Sequence, residues 1–337
     1  MIIVLKPNIN EEEKVKIIDK ISSLGFKTNI SEGVERTVIG VIGEEDKLRV
    51  QPLEVFPGVE KVIPVLAPYK LVSREFKPQD SIVKIKDVEI GAKKIAIMAG
   101  PCAIESLESL REIASEISKT GVRILRGGAF KPRTSPYSFQ GLGEEGLKIM
   151  QQVAKEFDLL TITEVIDSKD VDLVASYVDI LQIGARNMQN FNLLKKVGKS
   201  KKPVVLKRGM MSTIKEFLMS AEYILSEGNF NVILCERGIR TFETMTRNTL
   251  DINAVPVIKQ LSHLPIIVDP SHGTGKWGWV IPVSRAAIAA GSDGLLVEMH
   301  THPEDALSDG VQSLNQKNFV KLIEQVKAIA NAVNREI

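Results

Sequence analysis

The chain has 337 residues, and its 44 lysines and arginines stand against 42 aspartates and glutamates, so the formal net charge is +2. A balance this even argues against a dedicated nucleic-acid-binding protein, whose basic surface would show in the sum. Apolar residues make up 44% of the chain, which excludes general disorder. No apolar run approaches the roughly 18 uncharged residues of a membrane span. The N-terminus lacks the order of a signal peptide, and only two cysteines are present, so we expect a reducing cytoplasm and no disulfide scaffold.

The first 70 residues predict a small separate domain. Apolar spacing and turn residues indicate a strand, a helix, two strands, a second helix and a last strand, at 2–5, 10–24, 26–30, 37–42, 45–50 and 59–65. This βαββαβ order is typical of a ferredoxin-like α+β domain.

The remaining residues, 71–337, predict a larger domain that begins with a hairpin near 81–94. Eight short apolar runs then alternate with longer amphipathic stretches, at 95–99, 122–126, 160–164, 180–183, 204–207, 232–236, 266–269 and 295–298. Helices are predicted between them, at 107–119, 144–157, 214–227, 257–261, 282–290 and 319–332. Apolar strands that alternate with helices indicate a parallel sheet, and eight repeats fit a (β/α)₈ barrel. An open doubly wound sheet is the alternative, but no glycine-rich dinucleotide motif follows the first strand.

Polar side chains lie at or just after the carboxyl ends of all eight predicted strands. They are Cys102, Arg126, Glu164, Gln182 with Arg186, Lys207 with Arg208, Glu236 with Arg237, Asp269 with His272, and Glu298 with His300. In a barrel these positions meet at one mouth, where active sites of this fold lie. Charged residues that merely end strands would explain one or two of these positions, but not all eight. The pattern therefore predicts an active site.

Many of these side chains, with others from the loop after the second strand, are cationic: Arg126, Lys131, Arg133, Arg186, Lys207 and Arg237. Guanidinium groups match the geometry of phosphate and carboxylate, and lysine adds a point charge. Some of the cations are expected to pair with Glu164, Glu236 or Asp269. The remainder predict a substrate with several anionic groups, or two phosphorylated substrates.

A second subset offers donors for a divalent transition metal: Cys102, His272, Glu298 and Asp309. Other interpretations stay open, because Cys102 alone fits a small buried side chain and His272 alone fits a general acid or base. His300 and His302 compete as metal ligands. Cys235 lies inside an apolar run and is predicted to belong to the core.

Several long motifs resemble those of the 3-deoxy-D-arabino-heptulosonate 7-phosphate (DAHP) synthases. They are AGPC, RGGAFKPRTSPYSFQG, QIGARN, LKRG, CERGIRTF, RNTLD, VDPSH and SDG. The resemblance covers nearly all of the chain from about residue 70, and residues 1–70 look like the ferredoxin-like regulatory domain of one type I subfamily. It implies a transferase that condenses phosphoenolpyruvate with erythrose 4-phosphate and releases phosphate, in the first step of the shikimate pathway to aromatic amino acids.

The resemblance also implies roles for individual residues. Phosphoenolpyruvate would be held by Arg126, Lys131, Arg186, Lys207 and Arg237, with Arg186 and Arg237 on its phosphate. The phosphate of erythrose 4-phosphate would be held by Arg133, Thr134 and Ser135. A divalent ion, of Mn, Fe, Co or Zn, would be bound by Cys102, His272, Glu298 and Asp309. Lys131 is then a candidate proton donor to the new hydroxyl, and Glu164 a candidate to orient or deprotonate water.

The resemblance further implies a homotetramer and feedback inhibition by tyrosine or phenylalanine, bound by the small domain. The polar loop at residues 30–37 is the candidate effector site, although an ordinary hairpin turn explains its composition equally well.

Three other functions are open. 3-Deoxy-D-manno-octulosonate 8-phosphate synthase shares the barrel and the phosphoenolpyruvate chemistry, but its motif at the aldose phosphate differs from KPRTS. A Schiff-base aldolase would use Lys131 or Lys207 as its amine, which leaves the predicted metal ligands unexplained. A non-catalytic amino-acid sensor would use the barrel only as a scaffold, for which polar groups at every strand end are not needed.

Overall fold

The computed structural model describes residues 1–7, 9–33, 36–42, 53–63, 68–133 and 135–337. These residues form two compact units, the first made of 1–80 with 261–263 and the second of 81–260 with 264–337. The predicted division of the chain at residue 70 stays a prediction. Among the described residues, no helix is both long enough and apolar enough to cross a bilayer.

The first unit contains a four-stranded antiparallel sheet in the order β2-β3-β1-β4. Its strands are β1 (Ile2–Leu5), β2 (Lys27–Glu32), β3 (Thr37–Ile42) and β4 (Val59–Ile63), with helix α1 (Glu11–Ser23) after β1 and a 3₁₀ turn at Leu53–Val55. The side chain of Asn10 begins α1 by accepting a hydrogen bond from the backbone N–H of Glu13 at 2.8 Å. Ile17 and Ile21 of α1 are buried against the sheet. The small α+β unit is confirmed, while the predicted helix at 45–50 and the end of the predicted strand at 59–65 lie outside the described residues.

The second unit is built on a closed barrel of eight parallel strands. They are β7 (Ala96–Gly100), β8 (Ile124–Arg126), β9 (Leu160–Glu164), β10 (Ile180–Ile183), β11 (Val204–Lys207), β12 (Val232–Glu236), β13 (Ile266–Val268) and β14 (Gly294–Glu298). Each strand pairs with the next along the chain, and β14 pairs with β7 to close the barrel. The predicted (β/α)₈ barrel is therefore confirmed, with all eight strands within two residues of their predicted ends.

A hairpin precedes the barrel and fills one end of it. Its strands β5 (Val83–Ile85) and β6 (Val88–Ile90) pair antiparallel. Side chains of both strands join one buried cluster with residues at the amino ends of barrel strands, such as Ala96 and Ile124. This apolar packing closes the amino end of the barrel, so that the carboxyl end is left for polar side chains.

Helices surround the barrel between its strands. They are α2 (Leu107–Ser118), α3 (Glu144–Glu156), α4 (Val171–Tyr177), α5 (Phe191–Ser200), α6 (Ile214–Leu225), α7 (Ala254–Leu261), α8 (Pro270–Thr274), α9 (Trp277–Ala289) and α10 (Gln316–Ala332), with 3₁₀ turns at Ser168–Asp170, Ala185–Asn187 and Gly310–Gln312. The sequence pattern did not indicate α4, α5 or α8. It also placed the start of α9 at Pro282, which was wrong, because the helix begins at Trp277 and contains this proline, whose missing N–H removes one hydrogen bond of the helix.

One buried histidine makes the stability of the first unit depend on pH. His263 is 1% exposed, and its Nε2 atom lies 2.7 Å from the carbonyl oxygen of Leu71. Burial lowers the pKa of His263 to about 4. The folded chain therefore holds this imidazole neutral, and donating to the carbonyl, at pH values where an unfolded chain would protonate it.

We expect the wild-type protein to lose up to about 3 kcal/mol of stability through His263 as the pH falls from about 6.5 to 4. The stabilisation is fully present above pH 6.5, because neither state then binds the proton. A His263→Gln variant keeps an N–H donor for Leu71 but cannot titrate. Urea unfolding of both proteins at pH 7 and pH 4.5 measures the difference, and equal losses for the two proteins would contradict the assignment.

Candidate active site

A cavity of about 370 Å³ lies at the carboxyl ends of the barrel strands. The predicted site residues that line it are Lys131, Arg133, Ser135, Glu164, Arg186, Arg237, His272 and Asp309. A larger cavity, of about 560 Å³, lies near the amino ends of β7 and β8, but none of the described residues that line it is a predicted site residue. The chemistry therefore assigns the candidate site to the mouth of the barrel. Thr134 lies outside the described residues.

Two glycines allow the strand ends to approach one another at this mouth. Gly100 ends β7 with φ +152°, and a Cβ there would lie 2.0 Å from the carbonyl oxygen of Arg126. A Cβ on Gly184 would lie 1.9 Å from a carboxylate oxygen of Glu164. Any larger residue at either position would push Arg126 or Glu164 out of place.

The four predicted metal ligands come together beside this cavity. The donor atoms of Cys102, Glu298 and Asp309 all lie within 4.8 Å of one another, and the Cys102 Sγ lies 3.3 Å from Asp309 Oδ2. The Nε2 atom of His272 lies 3.5 Å from Glu298 Oε1 and 3.7 Å from Asp309 Oδ2. One sulfur, one nitrogen and two carboxylate oxygens form a donor set that suits a divalent transition metal.

The competing histidines lie elsewhere. The Nε2 atom of His300 is 3.8 Å from Glu105, and His302 belongs to an exposed group with Glu304 and Asp305. Neither the His300–Glu105 contact nor the group around His302 includes Cys102, so neither histidine belongs to the donor cluster described above.

Burial and charge shift the pKa values of Cys102, His272 and Asp309. Burial, with the charge of Glu298 added, raises the pKa of Cys102 to about 11, although Lys131 Nζ lies 3.0 Å from its sulfur. The thiol is therefore protonated until a bound cation stabilises the thiolate. Burial lowers the pKa of His272, against the opposing effect of the neighbouring Asp269 and Glu298 carboxylates. Burial alone would raise the pKa of Asp309, but the charges of His272 and Arg247 lower it to about 2, so this group is a carboxylate.

Behind these ligands, buried carboxylates neutralise some of the cations. Arg126 Nη1 lies 3.1 Å from Glu298 Oε1, and Lys207 Nζ lies 2.5 Å from Asp269 Oδ2. The Asp269 Oδ2 atom is also 2.7 Å from Nδ1 of His272, although the N–H direction is poorly aligned for a hydrogen bond. Burial alone would raise the pKa of Asp269, but the charges of His272 and Lys207 lower it well below its usual range. The expected pairing of cations with barrel carboxylates is thus observed for Asp269.

Glu236 pairs with a different cation. Its Oε2 atom lies 2.9 Å from Nη1 of Arg208, which also contacts Asp251 at 2.8 Å. Because Arg208 takes this role, the neighbouring Arg237 is left for the cavity.

Other arginines lack an anionic partner. Within the described part of the chain, neither Arg186 nor Arg237 has a carboxylate oxygen within 4.0 Å. Arg133 donates from Nε to the carbonyl of Phe139 at 2.9 Å, but its buried Nη2 finds no hydrogen-bond partner among the described residues. Buried donors without partners are rare in folded proteins. The unpartnered Nη2 of Arg133 and the buried Arg237, which lacks a carboxylate partner, indicate that the cavity binds anions, and the exposed Arg186 adds a further cation to its lining.

Two family models together match most of this chain. The model described as the DAHP synthetase I family matches residues 76–335, and the model described as the DAHP synthase ferredoxin-like domain matches residues 1–67. The chain belongs to the DAHP synthetase I family. As a member of this family it is an enzyme of DAHP synthesis, whose substrates are phosphoenolpyruvate and erythrose 4-phosphate.

Similar proteins carry the names of two enzymes, a deoxyheptonate aldolase and a deoxyphosphooctonate aldolase. A phospho-2-dehydro-3-deoxyheptonate aldolase from Thermotoga maritima is 54% identical over 337 residues, which is all of both chains. A crystal structure of the enzyme of that name from the same organism covers 99% of this chain and 98% of its own, with 53% identity and a TM-score of 0.79. A 2-dehydro-3-deoxyphosphooctonate aldolase from Koribacter versatilis is 34% identical over 273 residues, covering 74% of this chain and 96% of its own.

Sequence reasoning did not assign three polar residues that the fold places among the predicted ligands. Arg247 Nη1 lies 3.1 Å from Asp309 Oδ1, and Asn248 donates to the carbonyl of His272 at 2.8 Å. Gln312 donates to Glu298 Oε2 at 2.6 Å. The first two lie in the RNTLD motif, which was a usable signal, whereas Gln312 is a neutral side chain with no charge pattern to mark it.

We expect inorganic phosphate to raise the thermal unfolding temperature of the protein, because it would bind the unpartnered guanidinium groups of the mouth. The rise should be lost, or fall by more than half, in an Arg186→Gln/Arg237→Gln double variant. Arg285→Gln removes an exposed arginine of α9 and is the matched control. Differential scanning fluorimetry at fixed ionic strength measures the effect, and an equal rise in all three proteins would contradict it.

Proposed function

We propose that this enzyme condenses phosphoenolpyruvate with erythrose 4-phosphate in a reaction that depends on a divalent metal ion held at the mouth of the barrel. The observation that carries the proposal is the presence, in one place, of arginines without anionic partners and a cluster of sulfur, imidazole and carboxylate donors. Two phosphorylated substrates need the arginines without anionic partners, and activation of an aldehyde uses the metal held by the sulfur, imidazole and carboxylate donors.

Phosphoenolpyruvate carries a phosphate and a carboxylate, and the cations of the mouth suit both. We assign its phosphate to Arg186 and Arg237, which have no carboxylate partner among the described residues. Its carboxylate and enol face Arg126, Lys131 and Lys207. Two of these are already paired with Glu298 and Asp269, so the net positive charge there is reduced to a level that one carboxylate balances.

Erythrose 4-phosphate is assigned to the neighbouring loop of the same mouth. Arg133 and Ser135 line the cavity, and the unpartnered Nη2 of Arg133 is a donor for a phosphate oxygen. Thr134 stands between them in sequence and completes the proposed phosphate site. The aldehyde end of the sugar phosphate would then lie toward Cys102 and Lys131.

The metal ligands in this proposal are Cys102, His272, Glu298 and Asp309, and the ion is one of Mn, Fe, Co and Zn. When bound, such an ion supplies Lewis-acid polarisation of an aldehyde oxygen. The chain's own residues hold the two reactants together, which converts a bimolecular reaction into one within a complex.

Two residues are assigned to proton transfer. As the enol carbon attacks the aldehyde carbon, Lys131 Nζ donates a proton to the oxygen that becomes the new hydroxyl; this nitrogen lies 3.0 Å from Cys102 Sγ and thus beside the cluster. Water adds to the next carbon, and Glu164, whose carboxylate accepts from Gln182 at 3.4 Å, takes its proton. The C–O bond to the phosphate then breaks, and Arg186 and Arg237 stabilise the phosphate that leaves.

Removal of the metal should abolish turnover. We expect an effective chelator to stop phosphate release by the wild-type enzyme, and Cys102→Ala to lower metal-dependent turnover by at least about 100-fold, because the ligand set loses its thiolate. Cys235→Ala is the matched control, since Cys235 is equally buried but lies in the barrel core. Full activity in Cys102→Ala, or activity that survives chelation, would contradict the metal role of this cluster.

We propose that the N-terminal unit is a regulatory domain through which tyrosine or phenylalanine inhibits a homotetrameric enzyme. The match of residues 1–67 to a DAHP synthase ferredoxin-like domain supports a function specific to this family. The candidate effector loop at 30–37 includes two residues, 34 and 35, that lie outside the described part of the chain.

Deletion of residues 1–70 should leave phosphate release within about threefold of the wild-type rate and remove inhibition by both amino acids, because the proposed mouth lies wholly in the barrel. A truncated form of the Thermotoga maritima synthase, which aligns with 80% of this chain at a TM-score of 0.76, indicates that such a protein can be prepared. Steady-state assays with and without each amino acid measure the effect. Inhibition that persists in the truncated enzyme would contradict the regulatory role.

A further inference from the structure

One buried amide connects the two carboxylates of the proposed metal cluster. Gln312 ends the 3₁₀ turn Gly310–Gln312, directly after Asp309, and is 2% exposed. Its Nε2 donates to Glu298 Oε2 at 2.6 Å, and its Oε1 accepts from Arg247 Nη1 at 2.7 Å. The same Nη1 atom lies 3.1 Å from Asp309 Oδ1.

Chemistry permits only one orientation of this amide. A carboxylate can only accept and a guanidinium can only donate, so the NH₂ group of Gln312 must face Glu298 and its oxygen must face Arg247. A flipped amide would place oxygen against oxygen and nitrogen against nitrogen. The amide therefore has a fixed direction and fixes the direction of its partners.

These contacts determine which carboxylate oxygens remain for an ion. Gln312 occupies Oε2 of Glu298, so Oε1, which lies 3.5 Å from His272 Nε2, is the oxygen turned to the cluster. Arg247 occupies Oδ1 of Asp309, which leaves Oδ2, the oxygen 3.3 Å from Cys102 Sγ. Both remaining oxygens thus face the thiol and the imidazole, and Oε1 of Glu298 also accepts a hydrogen bond from Arg126 Nη1 at 3.1 Å.

We propose that Gln312 is a positioning residue for the metal site, which orients Glu298 directly and Asp309 through Arg247. The inference rests on the metal site of the proposed function. Partners of metal ligands typically change metal affinity by about 10- to 100-fold when they are replaced, because a free carboxylate samples orientations that do not bind.

Gln312 is a cleaner probe of this arrangement than Arg247. Arg247 lines the cavity, so its replacement would also change anion binding, whereas the described lining of the cavity does not include Gln312. Gln312→Leu keeps most of the side-chain volume and removes both hydrogen bonds. Gln312→Asn keeps the amide, but it is one methylene too short to reach both partners.

The test is Co²⁺ binding to the full-length protein, followed by competition with a chromogenic chelator and by absorption spectroscopy. We expect Gln312→Leu to weaken Co²⁺ binding by about 10- to 100-fold and to alter the ligand-field bands, while the thiolate-to-cobalt band of Cys102 persists. Turnover should be recovered, at least in large part, by excess metal. Gln316→Leu is the matched control, because Gln316 makes the same kind of amide-to-carboxylate contact, to Glu116, on the exposed start of α10.

The outcomes separate this proposal from the one on which it rests. If the wild-type protein binds no Co²⁺, or binds it as Cys102→Ala does, the metal site itself is overturned. If Cys102→Ala loses binding but Gln312→Leu matches the wild type in affinity and spectrum, only the role of Gln312 is overturned. Should Gln312→Leu fail to fold, the same comparison is made with Gln312→Asn, for which weaker binding supports the proposal and unchanged binding overturns it.

Discussion

The pairing of β14 with β7 closes the barrel, and the proposed chemistry of the mouth depends on that closure. Its register sets Glu298 opposite Gly100, two residues before Cys102, so residues almost 200 positions apart in the chain become neighbours. Gly100 is what permits the next strand to approach, since a Cβ there would meet the backbone of Arg126. Without this contact, the thiol and the carboxylate would belong to separate parts of the protein.

Charge compensation is the second constraint on the mouth. Burying a cation is costly unless an opposite charge lies close by, and three buried pairs meet that need: Arg126 with Glu298, Lys207 with Asp269, and Arg208 with Glu236. The buried Arg237 has no such partner among the described residues, and neither has the exposed Arg186. The protein thus separates cations that are neutralised within the fold from cations that are left for an anionic ligand. Glu298 takes part in both the charge compensation and the proposed metal cluster, since it pairs with Arg126 and faces His272.

The barrel could be predicted from sequence because strands buried on both faces are short apolar runs, such as 232–236, and because their polar ends stand out against that background. Helices α4 and α5 escaped prediction for physical reasons: α4 has only seven residues, and α5 ends at Ser200 before Lys201, whose left-handed conformation takes the place of the glycine that commonly marks a helix end. The role of Gln312 could not be predicted, because it is a neutral side chain whose partners come from other parts of the chain, whereas the RNTLD motif was a usable signal for Arg247. The resemblance of the motifs to a known family identified the substrates. The cationic residues alone had left two possibilities, one substrate with several anionic groups or two phosphorylated substrates.

The central claim is the identity of the reaction at this mouth, and phosphate release from phosphoenolpyruvate tests it most directly. The purified enzyme is given erythrose 4-phosphate in one assay and arabinose 5-phosphate in another, each with and without a chelator. We predict release with erythrose 4-phosphate that chelation abolishes. Preference for arabinose 5-phosphate would move the activity to that of the octulosonate relatives, and the absence of release with either sugar phosphate would contradict a catalytic mouth altogether.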